Sequence, residues 1–84
     1  MIAIETEDFL KDLRGLPKSI ADIFAKQKEI FTENWLDVRL HTKRVKEFSG
    51  VYSFRITRRY RALFYFAEKT AVFFKIGHRK DIYE

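Results

Sequence analysis

Eighty-four residues are enough for one domain, taken as 1–84, and leave no room for a second. With no cysteine, disulfides and thiolate metal sites are excluded, and nine Phe, four Tyr and one Trp must build what core the chain can afford. The net charge of +5 is unevenly placed, an asymmetry that raises the odds of a polyanionic partner, and no apolar run approaches the ~18–20 residues that a membrane span needs. No signal peptide opens the chain, so a cytoplasmic protein without a membrane partner is expected.

"MIAIE" reads as a short first strand. Thr6 can cap a helix that carries Glu7 and Asp8 in its first turn, where the helix dipole favours acids. Phe9, Leu10, Leu13 and Leu16 fall at helical spacing until Gly15 and Pro17 interrupt them. Pro17 suits the first turn of a second helix, with Ile20, Ile23, Phe24, Ile30 and Phe31 on one face and an end near Asn34. Two helices across so short a break make a hairpin. From Asn34 to Gly50 no clean period exists, and the segment reads as a loop that can hold a helical turn around Trp35 to Val38.

Ser49 and Gly50 mark a turn, and three strands follow. In "VYSFRIT", Tyr52, Phe54 and Ile56 alternate with Ser53, Arg55 and Thr57, the period of a half-buried strand. "YRALFYF" and "AVFFKI" are more fully apolar, joined by "AEKT", and Gly77 is expected to end the last strand. Short turns make these three an antiparallel meander. The expected class is therefore α+β, in the order β-α-α-β-β-β. The helical hairpin packs on one face of an antiparallel sheet and covers Phe64, Phe66, Phe73 and Phe74. The polar residues Ser53, Arg55 and Thr57, with Arg61 and Lys75, should emerge on the other face.

Charge is split along the chain. Up to Val38 there are five Lys/Arg against eight Asp/Glu, and from Arg39 onward twelve against four. The stretch Arg39 to Arg61 holds eight basic residues and only Glu47 opposing them. His41 and His78 are the only histidines, with no carboxylates near either at ligand spacing, so no metal or other cofactor is expected. What remains is a set of cations, Lys43, Arg44, Lys46, Arg55, Arg61 and Arg79, together with His78 and Tyr83. Such a set suits holding a phosphodiester and stabilising the extra charge of its transition state. RNA cleavage needs no protein nucleophile, because the 2′-hydroxyl attacks the neighbouring phosphate. Arginines are poor proton carriers at neutral pH, which leaves His78, Tyr83 or a lysine for the two proton transfers. Each residue also has a plainer reading: a basic loop is most often a solvated surface, His78 can cap a strand end, and Tyr83 can pack on the sheet.

The element order, "YSFRITRRYRALFYF" and the closing "IGHRKDIYE" together resemble the RelE/ParE superfamily of toxins from type II toxin–antitoxin systems. The likeness spans most of the chain and is strongest over residues 50–84. It implies a ribosome-dependent endoribonuclease that cuts mRNA, with a cognate antitoxin as partner, mRNA on the ribosome and its ribosomal RNA as targets, and no cofactor. By position, Arg55 and Arg61 match basic residues lining the family's cleavage site, Arg79 the arginine after the last strand, and Tyr83 the C-terminal tyrosine that orients the cut nucleotide. Arg39, Lys43, Arg44 and Lys46, with Arg58 and Arg59, would grip RNA.

Two departures stand out. RelE-type members carry two lysines alternating on the second strand, one of them a candidate base, where this chain has Ser53 and Arg55. The glutamate base of YoeB-like members falls where this chain offers Thr42 or Lys43, so the candidates for general base are Lys43 and His78. ParE-type members share the fold but poison DNA gyrase, which is the alternative the likeness implies. A member that only binds antitoxin or RNA is a third.

Overall fold

A computed structural model describes residues 1–83 of the chain. Strand β1 (Ile2–Glu5) leads into helix α1 (Glu7–Arg14), capped as expected by Thr6, whose Oγ1 accepts from the Phe9 amide at 3.1 Å. Helix α2 (Lys18–Glu33) begins one position later than the sequence suggests. Pro17 is its cap, in extended conformation (ψ 144°), and its carbonyl accepts the first helical bond from the Ile20 amide at 2.9 Å. Asn34 ends the helix.

The segment read as a loop is more ordered than its sequence shows. The helical turn lies at Val38–Leu40, not Trp35–Val38, because the Asp37 carboxylate accepts from the Arg39 amide at 2.9 Å and starts a 3₁₀ turn there. Two residues, Lys43–Arg44, then form β2, which the sequence reading missed; a pair is too short to show a period. Strands β3 (Val51–Arg55), β4 (Tyr60–Ala67) and β5 (Thr70–His78) make the expected meander. The strands lie in the order β1-β5-β4-β3-β2, all neighbours antiparallel except β1, which runs parallel to β5. Strand β5 continues through Gly77 to His78, so Gly77 does not end it. Among the described residues no helix is long and apolar enough to cross a membrane.

The helical hairpin covers one face of the sheet over a cluster of phenylalanines: Phe9, Phe24, Phe31, Phe54, Phe64 and Phe73, all essentially fully buried. Neighbouring rings sit about one ring apart, 4.8 Å between the centroids of Phe31 and Phe64 and 5.5 Å between Phe54 and Phe73. Each such ring, fully buried, contributes roughly 1.5–3 kcal/mol. Trp35 closes the edge against Tyr52, Phe64 and Phe66.

A bulge in β5 corrects the expectation for Phe74. Phe64 pairs with Phe73 and Leu63 with Lys75, which leaves Phe74 as the extra residue. Phe73 and Ile76 can then both face the helices although three positions apart. Phe74 turns to the open face, against Tyr65 and a second small cluster of Val45, Leu63 and Ile82.

Candidate active site

The alternation of β3 and β4 decides which side chains reach the open face. Ser53 and Arg55 on β3 share it with Arg61 and Leu63 on β4, and the register sets Arg55 directly across from Arg61. Lys43 on β2 pairs with Ser53, and Gly77 on β5 pairs with Arg61. The tail completes the enclosure. Past β5 the amides of Asp81 and Ile82 both donate to the His78 carbonyl, and the Arg79 amide donates to the Arg59 carbonyl at 2.7 Å. Ile82, 1% exposed, then plugs into Val45 and Leu63 and holds the tail across the sheet. The result is a hollow of about 480 Å³ lined by Lys43, Arg55, Arg58, Arg61, Arg79, Lys80 and Tyr83.

Arg61 is its most deeply set cation, only 9% exposed. Its Nε donates to Ser53 Oγ at 3.0 Å and its Nη2 to the carbonyl of His41 at 2.9 Å. Burial lowers the Arg61 pKa from the ordinary arginine value, the facing Arg55 charge acts the same way, and Tyr83 opposes both. His41 reaches its position in the left-handed conformation (φ 49°), uncommon for a residue other than glycine.

Among the described residues, six cations and a tyrosine line this hollow, with no carboxylate beside them. Like charges directly opposite on neighbouring strands are destabilising. An arrangement of this kind is satisfied by an anion with several oxygens, such as a phosphodiester, which guanidinium forks can meet two oxygens at a time.

The structure brings together Lys43, Arg55, Arg58, Arg61, Arg79 and Tyr83. It does not bring in His78. As the residue after Gly77, His78 faces the opposite side of β5, its ring 5.6 Å from that of Tyr60 and its Nδ1 accepting from the Lys80 amide at 3.1 Å. Arg39 lies outside the hollow in a two-pronged pair with Asp37 (2.8 and 2.9 Å), which holds that carboxyl at a pKa of about 2. Arg44 and Lys46 line a separate dip with Phe48 and Tyr52, and Arg59 is exposed on the turn before β4.

The family model described as "ParE toxin of type II toxin-antitoxin system, parDE" matches residues 4–83, nearly the whole chain. The chain belongs to this toxin family. Solved structures agree on the fold. The toxin is similar to a chain in the RelB–RelE antitoxin–toxin complex of Methanococcus jannaschii, at 27% identity and a TM-score of 0.77 over 95% of this chain and 94% of that one. A chain of the archaeal RelE–RelB complex of Pyrococcus horikoshii matches at 16% identity and 0.75, covering 95% and 96%. The YoeB/ParE toxin of Agrobacterium tumefaciens matches at 12% and 0.78, covering 94% and 99%. A comparison of the sequence with curated proteins finds no match.

Three parts of the toxin's hollow were not singled out from sequence. Lys80 carries no signal beyond its charge. Ile82 could have been suspected as the one aliphatic residue after Gly77. Ser53 was expected to emerge on the open face, and it is fully buried beneath Arg61.

Proposed function

We propose that the toxin is a ribosome-dependent endoribonuclease that cuts mRNA at this hollow. The observation that carries the reading is the cross-strand pair Arg55–Arg61 in an enclosure lined by cations and one tyrosine. Arg61 and Arg79 stabilise the charge that builds on the phosphorus, and Arg55 holds the backbone. Of the two candidates for base, Lys43 lines the hollow and His78 faces away, so the base role falls to Lys43. Acting as the base, its amine takes the proton of the 2′-hydroxyl, the 2′-oxygen attacks phosphorus, and the bond to the 5′-oxygen breaks, leaving a 2′,3′-cyclic phosphate. Tyr83 orients the nucleobase, and its hydroxyl returns a proton to the leaving oxygen. The partner is a cognate antitoxin whose acidic segment covers the cations, a reading supported by two of the similar solved structures, both toxin–antitoxin complexes.

In cell-free translation the toxin should stop synthesis and leave cut message, whereas Arg61→Ala and Tyr83→Ala should do neither. Arrest with intact message would overturn the nuclease reading. The second reading, inhibition of DNA gyrase, is favoured by the ParE description of the family model. A supercoiling assay with purified gyrase separates the two, since the nuclease reading expects no loss of supercoiling.

A further inference from the structure

We propose that Ser53 is a positioning residue that holds Arg61 by a neutral acceptor, so that the guanidinium keeps its full charge for an anion in the hollow. The inference rests on the phosphodiester-binding reading of that hollow. Ser53 sits at an outward position of β3, flanked by Lys43 on β2 and Leu63 on β4. A serine there should be free to face water, yet it has no exposed surface. A buried hydroxyl in such a place is unfavourable unless it is partnered. Its partner is Arg61 Nε at 3.0 Å, reached diagonally across the β3–β4 ladder from the position next to Leu63's inward neighbour.

The second hold on Arg61 is the carbonyl of His41, at 2.9 Å from Nη2, presented by a left-handed turn. Both acceptors are uncharged. A nearly buried arginine serving only the fold is ordinarily paired with a carboxylate, because an uncompensated buried charge is costly. Elsewhere the chain gives even an exposed arginine a carboxylate, Arg39 beside Asp37. At Arg61 the two acceptors among the described residues are neutral oxygens, which fix the plane and edge of the guanidinium without cancelling its charge. The fixed geometry is what a bidentate contact to phosphate oxygens requires.

The test uses three variants of the full chain, each checked for an unfolding transition. Two probes report on the hollow: a fluorescein-labelled 2′-O-methyl RNA 10-mer, which cannot be cut through its 2′-oxygens, and inorganic tripolyphosphate. Exchange of the Arg61 Nε–H, followed by NMR, reports on the hold itself. Ser53→Ala should expose that Nε–H to rapid exchange and weaken both probes about tenfold, the scale of a hydrogen bond to a charged group. Ser53→Thr should restore protection and affinity. Ser53→Asp should keep the fold and the Nε–H protection but weaken both probes beyond Ser53→Ala, because its carboxylate cancels the charge. A Ser53→Asp chain that binds like wild type overturns the proposal, as does a folded Ser53→Ala chain with full affinity. If wild type binds tripolyphosphate but not the RNA, the positioning role is still decided on the anion, while the nuclease reading is decided separately by the cell-free translation assay. If it binds neither, the positioning proposal falls.

Discussion

At the scale of single residues, the hollow is a place where the fold accepts repulsion. Arg55 and Arg61 face each other across the β3–β4 ladder, and Arg55 adds to the lowering of the Arg61 pKa that burial begins. Removing one of them should therefore stabilise the protein while harming the site, the trade-off expected where function needs an unfavourable arrangement. Arg55→Gln should gain about 0.5 kcal/mol, the scale of a like-charge cross-strand pair, and raise the melting temperature by about 2–4 °C. The same variant should bind the RNA 10-mer more weakly. Thermal melts with and without the oligonucleotide measure both effects, and a lower melting temperature in the variant would show that Arg55 is held by favourable contacts instead. The arginines themselves were legible in sequence because a cation inside an alternating strand stands out. Ser53 was not, since alternation assigns a face and says nothing about what a long neighbouring side chain lays over that face.

At the scale of elements, what the sequence shows and what it hides divide along periodicity. Helices α1 and α2 and the three-strand meander were readable because each repeats its pattern over several residues. Strand β2 has two residues, and the bulge at Phe74 breaks the period of β5 in mid-strand, so neither could be seen. The parallel pairing of β1 with β5 joins the two ends of the chain, which no local pattern records. The tail is the element on which the site most depends. It has no regular structure and is held by the Arg79–Arg59 backbone bond, the turn at His78 and the burial of Ile82. Ile82→Ala should cost about 1–3 kcal/mol, less than a central core deletion because its cluster is small. It should also free Tyr83 and Arg79 from the hollow. Denaturant unfolding gives the first quantity. Faster exchange of the Arg79 amide gives the second, and an unchanged amide would show that the tail is anchored without Ile82.

At the scale of the whole molecule, the division of charge along the sequence becomes a division of labour in space. The acidic first part, through Val38, builds β1 and the helical hairpin, while the basic remainder builds β2 to β5 and the tail. The helices cover one face of the sheet, so the surplus of positive charge is left to the strands and the tail, and six of its cations converge on one hollow. Such a field concentrates polyanions near the site before any contact forms, and the contacts that follow release counterions. The size of that release distinguishes a chain gripped along several phosphates from one anchored at a single point. If about four of the six lining cations meet phosphates of a single strand, log affinity should fall with log salt at a slope of about −3. The RNA 10-mer should then bind about fiftyfold more weakly at 200 mM than at 50 mM salt. Replacing Arg58 or Lys80, which are exposed at the rim, should reduce the slope by less than one unit while leaving the fold untouched. A slope near −1 in wild type would mean that the cations act on one phosphate only, and the remaining charge would then serve the antitoxin and not the RNA.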